Sequence, residues 1–383
     1  MNLIKRLPIG TLTLTALALL GAYAMAMRYI GGLGATTNLS DGRPWGIWIS
    51  FDLYCGVALA AGGFVLAAVV YIFKLEKYHP IVRPAILTGF MGYTLVILAL
   101  LVDVGKPWDI LNVVTHWNIH SPLFEVGVCV MTYTTVLALE FSPAVFERLH
   151  WRVPLKIIRS VQIPLVIAGI TLSTLHQSSL GTMLLTLEPA LDPLWYTPIL
   201  PILFFISAVG VGLAMVIFEA TISSKVFAHR LAPDVLSGLA KAAPWVLGLY
   251  LIVKIGDLAV SGELGLLFGS SPQVILWWVE MILGVVLPLV LFSLPKIRAN
   301  GRALFWTATM VVLGLILNRF NVTMLGLDIT REGFTYFPHW MEIAISVGLV
   351  ADGLLIFWLA NRFLPIMDHD DESSNELAAA ETR

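Results

Sequence analysis

Charge is what this sequence has least of. Of 383 residues only 13% are Asp, Glu, Lys or Arg, against about 25% in a soluble globular domain. A chain so poor in charge cannot keep a folded surface wet, which excludes a cytosolic enzyme and a disordered protein. Neither sign dominates: 23 Lys and Arg stand against 25 Asp and Glu, a net charge of −2. No basic field exists to attract nucleic acid. Cysteine is almost missing as well. Two residues, Cys55 and Cys129, are too few for an iron–sulfur cluster or a Cys-based zinc site. Both lie in apolar stretches and read as small buried hydrophobes, with no disulfide framework. No nucleotide-binding P-loop and no dinucleotide fingerprint occur. ATP-driven transport by this chain is excluded, and electrons for any redox work must come from a partner.

What the chain does have is long apolar runs. Hydrophobic residues make up 58% and mean hydropathy is +0.86. A bilayer core needs about 20 apolar residues per helix. Ten runs meet this, at roughly 8–30, 48–73, 84–104, 122–141, 160–180, 197–221, 243–261, 273–294, 302–320 and 340–363. None alternates apolar with polar residues as a barrel strand would. The expected fold class is therefore all-α, a polytopic integral membrane protein of about ten transmembrane helices. It would fill 1–365 as one ten-helix domain. A polar, acidic C-terminal tail follows over 366–383 and is expected to be disordered. The first run follows MNLIKR, which looks like the start of a signal peptide. At about 20 residues it exceeds a signal's 7–15 apolar residues and reads as a retained helix. Lys and Arg crowd the N-terminus, the loops after spans 2, 4, 6 and 8, and the C-terminal side. By the positive-inside rule both termini face the cytoplasm.

Ionisable residues inside a span are costly and mark function by default. Most lie towards the outer side: Asp52 at the start of span 2, Asp103 at the end of span 3, Glu125 early in span 4, and His176 with Gln177 at the end of span 5. Lys254 and Asp257 come late in span 7, Glu280 two turns into span 8, Arg319 at the end of span 9 and Glu342 at the start of span 10. Towards the inner side only Glu140 and Glu219 occur, with Asp352 near the middle of span 10. A channel or proton pump would spread charge through the whole thickness, whereas this pattern points to one polar site near the outer surface. Lys254 and Asp257, at i,i+3, are expected to neutralise each other. Glu140 and Glu219 lie close enough to the interface to be either proton suppliers or merely shallow. His176 is open to two readings, a hydrogen-bonded structural residue or a ligand. An imidazole and carboxylates between apolar walls suit a quinone, whose carbonyls need donors that also pass protons.

Tryptophan is plentiful at 12 residues, and the aromatic belt at the membrane surface accounts for most of them. A bis-His haem needs paired histidines on facing helices. His176 is the single histidine within a predicted span, so no haem is expected. His116 and His120 share i,i+4 spacing, but WNI between them and SP after them argue for a loop, and no metal site is expected.

Several segments together resemble a known family. They are PWGIWISFDL (44–53), YHPIVRPA (78–85), VDVGKPW (102–108), SPLFEVGVC (121–129), ALEFSPAVFERLHW (138–151), HQSSLG (176–181), VIFEA (216–220) and YFPHWMEIAISVG (336–348). In this order, over about 28–365, the chain resembles the NrfD / polysulfide reductase membrane-subunit family, and within it the HybB-type subunits of periplasmic nickel–iron uptake hydrogenases of the hydrogenase-2 type. The resemblance implies two four-helix bundles, spans 2–5 and 6–9, with spans 1 and 10 outside them. It implies a location in the bacterial inner membrane and menaquinone near the outer face as the one cofactor. A ferredoxin-like iron–sulfur subunit would sit above it on the periplasmic side, linked to the nickel–iron hydrogenase large and small subunits.

The resulting expectation is a subunit that passes electrons from hydrogen oxidation to the quinone pool, with proton translocation as a further option. Asp103, Glu125 and His176 are assigned the proton chemistry at the quinone. Trp45, Trp48, Asp52, His116, Trp117 and Gln177 are assigned to hold it. Glu140, Glu219, Asp257 and Glu280 are assigned to a proton path. One alternative keeps the fold but places the subunit in a polysulfide, thiosulfate or nitrite reductase. Another is a secondary transporter, for which Asp352 and the Gly62-Gly63 pair are the favourable features.

Overall fold

The computed structural model describes residues 9–42, 44–188, 190–227, 233–327 and 336–366. Ten helices are long and apolar enough to cross a membrane: α1 (Ile9–Gly31), α2 (Trp48–Ile72), α3 (Glu76–Asp103), α4 (Pro122–Arg148), α5 (Gln162–Leu185), α6 (Leu200–Val226), α7 (Asp234–Val260), α8 (Pro272–Ser293), α9 (Gly301–Leu325) and α10 (Trp340–Phe363). Helix is the only economical answer for such runs, because in hydrocarbon each backbone N–H and C=O must find its partner within the segment. Start signals are plain in the sequence. Ser121 and Ser271 cap α4 and α8, each followed by Pro at the first helical position, and Asn300 caps α9. His339 and Glu342 form a capping box on α10.

Two four-helix bundles result. In the first, α2 packs on α3, α3 on α4, α4 on α5, and α5 closes on α2; α6 to α9 repeat this circuit. The bundles run in the same direction, and their third helices, α4 and α8, both begin with Ser-Pro. They meet along α2 and α6, the most deeply buried helices. Small residues permit the approach. A Cβ on Gly62 would come within 3.0 Å of Val216, and one on Gly212 within 3.1 Å of the Ala61 carbonyl. Gly63 does the same against the Ala85 carbonyl of α3. The Gly62-Gly63 pair is thus a packing device, and the transporter reading loses that support. α1 and α10 pair with each other outside the bundles, and α10 lies against α2 and α3.

One end of the molecule carries the long connections 32–47, 104–121 and 186–199 and is here termed the loop end. The opposite, basic end carries Lys74, Lys77, Arg83, Arg148, Lys225, Lys296 and Arg298. A short helix, Arg152–Ser160, joins α4 to α5 there. The tail expected over 366–383 lies outside the described residues except for Ile366. Lys5, Arg6 and Arg230 of the basic side, and Arg43 and Arg331 of the opposite loops, lie outside them too.

Candidate functional site

α5 continues to Leu185, five residues beyond the span expected from hydropathy. His176 is therefore not at a helix end. It stands nine residues inside α5, about 13 Å from the loop end at 1.5 Å per residue. Its ring is fully buried and packs edge-on against Tyr93 of α3 at 5.3 Å, and Tyr93 in turn meets Tyr133 of α4 at 4.6 Å. Ser173, one turn before His176, places its hydroxyl beside both phenols but in hydrogen-bond geometry with neither. Gln177 donates from Nε2 to the Val57 carbonyl of α2 at 2.9 Å. Both His176 nitrogens, the Tyr93 hydroxyl, the Ser173 hydroxyl and Gln177 Oε1 have no protein partner. Buried polar groups are nearly always paired. Five orphaned atoms in one layer of one bundle therefore mark a place for water or a polar ligand. Tyr93, Tyr133 and Ser173 escaped the sequence reading because a search for ionisable residues passes over hydroxyls. The i,i+3 spacing of Ser173 and His176 was the available signal.

At the loop end a second polar group joins the first bundle to α10. Asp52 accepts a 2.5 Å hydrogen bond from Ser346. Glu342 is fully buried and accepts from the Asn38 and His339 amides at 2.7 and 3.0 Å and from the Tyr336 hydroxyl. Burial, and then that hydrogen bond, hold the Tyr336 phenol far above its ordinary pKa, so it remains a donor. The Trp48 indole donates to the Glu342 carbonyl. Arg28 of α1 donates to the Val102 and Val104 carbonyls at the end of α3. Asp103 stands beside these groups with Oδ1 buried and unpartnered.

The structure does not gather the expected quinone residues into one site. Asp52, Asp103 and Trp48 are engaged with or beside the flanking helices, and Trp45 is half-buried. Glu125 is exposed in the first turn of α4, and His116 and Trp117 are exposed in the 104–121 connection. There the Trp117 indole donates to the Val114 carbonyl and His116 Nδ1 meets the Thr115 hydroxyl. Loop composition could not show which way these side chains point.

The second bundle holds a closed network. Glu280 of α8 is buried and accepts from the Trp195 indole at 3.0 Å, Asn318 at 2.8 Å and Asn321 at 2.7 Å. Arg319 is stacked 3.7 Å over the Phe204 ring and donates to Asn318 Oδ1 and the Ser207 hydroxyl. Lys254 and Asp257 do not pair as expected. Lys254 donates to the Leu194 carbonyl and Asp257 accepts from Thr197, both on the connection before α6, and the described residues show no ion pair between them. The connection supplies partners that i,i+3 spacing cannot foresee.

At the basic end, Glu140 lines a cavity of about 270 Å³ among α2 to α5, with Oε1 buried and unpartnered. Glu219 of α6 is half-buried beside Thr88 of α3. Among the described residues no three His, Cys, Asp or Glu side chains are grouped to hold a metal.

Comparison with known proteins fits this architecture. Residues 35–329 match the family model described as "Polysulphide reductase, NrfD". The chain belongs to the NrfD family. Among its relatives this NrfD protein is 34% identical to the "Probable Ni/Fe-hydrogenase 2 b-type cytochrome subunit" of Escherichia coli (strain K12), over 92% of each chain. It is 31% identical to the "Menaquinone reductase, integral membrane subunit" of Nitratidesulfovibrio vulgaris, over 92% of this chain and 90% of that one. Identity to the "Hdr-like menaquinol oxidoreductase integral membrane subunit" of Archaeoglobus fulgidus is 22%, over 90% and 89%. With ten apolar helices and this family, the chain is a multi-pass integral membrane protein.

Proposed function

We propose that this NrfD protein is the quinone-reactive membrane subunit of a respiratory complex in the bacterial inner membrane. It passes electrons to menaquinone from a periplasmic nickel–iron hydrogenase, its large and small subunits linked to this chain by a ferredoxin-like iron–sulfur subunit. The observation that carries the reading is the orphaned layer around His176. A quinone needs hydrogen-bond donors for two carbonyls and a route for protons, between apolar walls. The imidazole and the Tyr93, Tyr133 and Ser173 hydroxyls can donate or accept, and α2 to α5 supply the walls. Asp103 and Asp52, nearer the loop end, are assigned to line the outer side of the quinone site, and Gln177 to holding His176 against α2. A second reading keeps the fold and the quinone site but places the subunit in a polysulfide, thiosulfate or nitrite reductase complex, which takes electrons from quinol; the description of the matching family model, "Polysulphide reductase, NrfD", favours it. The Escherichia coli relative carries "b-type cytochrome" in its name. Among the described residues His176 has phenol and hydroxyl neighbours and no facing histidine, so it is assigned to quinone and not to haem.

The test uses the complex purified with its partner subunits. His176→Ala is expected to leave reduction of a soluble dye by hydrogen intact, because the dye draws electrons from the partners' clusters. Quinone reduction should fall at least about tenfold. The reduced-minus-oxidised spectrum should show no b-type α-band from this subunit. Equal loss of both activities would mean that His176 only holds the complex together.

A further inference from the structure

A cavity lies at the basic end of the first bundle, beneath the helix Arg152–Ser160. Its volume of about 270 Å³ is room for several waters. Its walls carry Tyr71, Arg83, Glu147 and Arg159 among apolar side chains. Glu147 accepts from Arg83 at 3.0 and 3.1 Å and from Arg159 at 2.9 Å, forming a clasp. At the deep side stands Glu140 of α4. Opposite it α5 has Gly169, whose missing side chain leaves space: a Cβ there would lie 3.1 Å from Glu140 Oε1.

Above this point the two helices present one face to each other. On α5, Gly169 is followed at i+4 by Ser173 and at i+7 and i+8 by His176 and Gln177. On α4, Glu140 is preceded at i−7 by Tyr133, about 10 Å higher. Residues so spaced share a face. Five of the orphaned polar atoms of the first bundle follow this seam: Glu140 Oε1, then Ser173 Oγ and the Tyr93 hydroxyl, then both nitrogens of His176; Ser50 Oγ and Asp103 Oδ1 lie apart from it on α2 and α3. Buried groups of this kind take water as partner. Two turns of bilayer depth between Glu140 and Tyr133 are a short gap for a file of a few waters.

The geometry points to the α4–α5 seam as the path by which protons reach the His176 cluster from the basic end, with Glu140 as the acid at its mouth. This rests on the quinone reading. Reduction of a quinone to quinol takes two electrons, which the iron–sulfur partner supplies, and two protons, which the seam supplies. Glu140 releases each proton upward through water and the Ser173 and Tyr133 hydroxyls to the imidazole, and is reprotonated from the cavity, so every side chain ends in its starting state. The other carboxylates assigned to a proton path from the sequence are placed elsewhere. Glu280 is held by three donors and Asp257 by Thr197. Glu219 Oε1 on α6 is likewise buried and unpartnered, but it stands beside Thr88 of α3 and does not line the cavity.

The test uses the whole complex in sealed vesicles, reduced by a viologen dye, which carries no protons, with a short-chain menaquinone analogue as acceptor and a pH indicator on each side. The expected result is loss of two protons per quinone from the side of the basic end, with a membrane potential. Glu140→Gln should cut quinone reduction about tenfold or more, while electron transfer from hydrogen or viologen into the partner's clusters is unchanged. Glu140→Asp should restore it in part, and Glu219→Gln should leave it intact. Infrared difference spectra should lose one protonated-carboxyl band in Glu140→Gln. Proton loss from the loop-end side in wild type, or an unchanged rate and potential in Glu140→Gln, overturns the seam while leaving quinone reactivity standing. Absence of quinone reduction in wild type overturns the functional reading itself.

Discussion

Two polar residues of similar appearance in the sequence prove opposite in the structure. Glu280 and His176 each interrupt an apolar span and each sits seven to nine residues from the loop end. Glu280 is saturated, with three N–H donors from Trp195, Asn318 and Asn321. His176 has no partner on either nitrogen. A saturated buried acceptor serves architecture and an orphaned one awaits a partner, so the two should fail differently. Glu280→Ala leaves two amides and an indole unpaired in hydrocarbon, a cost of about 2–4 kcal/mol. The expected outcome is a lower thermal midpoint in detergent, read from the fluorescence of the second bundle's tryptophans. His176→Ala should change that midpoint little. If Glu280→Ala keeps the wild-type midpoint, the network does not hold the second bundle together.

Several helix pairs of this chain approach closely where glycines meet. In lipid the hydrophobic effect does not draw helices together, and close backbone approach takes its place. Gly284 of α8 faces Gly314 of α9, where a Cβ on Gly284 would lie 2.7 Å from the Gly314 Cα; Gly21 of α1 and Gly348 of α10 meet at the same distance. Backbone on both sides cannot yield, so the helices must part. Gly314→Ala is expected to cost about 1–3 kcal/mol by overpacking. Gly256 of α7 has no atom within 4 Å of its would-be Cβ, and Gly256→Ala should cost nothing. Thermal unfolding of the two variants side by side decides the point: equal midpoints would show that α8 and α9 separate freely. These contacts were not legible in the sequence, because 31 glycines look alike until their neighbours are known.

At the scale of the whole molecule, orientation rests on charge. The basic end carries most of the described Lys and Arg. The loop end has Arg28, Lys254 and Arg319, but all three are buried and committed to carbonyls or side chains within the fold. Lys106 remains as the free cation there among the described residues. The asymmetry that governs insertion is thus stronger than a count of letters suggests, and the basic end is expected in the cytoplasm. A periplasmic phosphatase fused after Arg383 should be inactive and one fused in the 104–121 connection active; the reverse pattern would invert the molecule and move the α4–α5 seam to the other compartment.

Hydropathy by itself determined the ten helices and their alternating direction, since an apolar run of 20 residues in lipid has one way to satisfy its backbone. The depth of a residue within a helix was less well fixed, because helices run on past their apolar stretch when caps and neighbours allow. The extension of α5 to Leu185 moved His176 from an edge to the interior. Which polar groups meet was decided by tertiary structure alone. Lys254 chose a carbonyl on a connection 60 residues away in sequence over the carboxylate one turn along its own helix. Asp52 found Ser346 across 294 residues. Such pairings depend on crossing angles and on the course of the loops, and no residue spacing encodes either one.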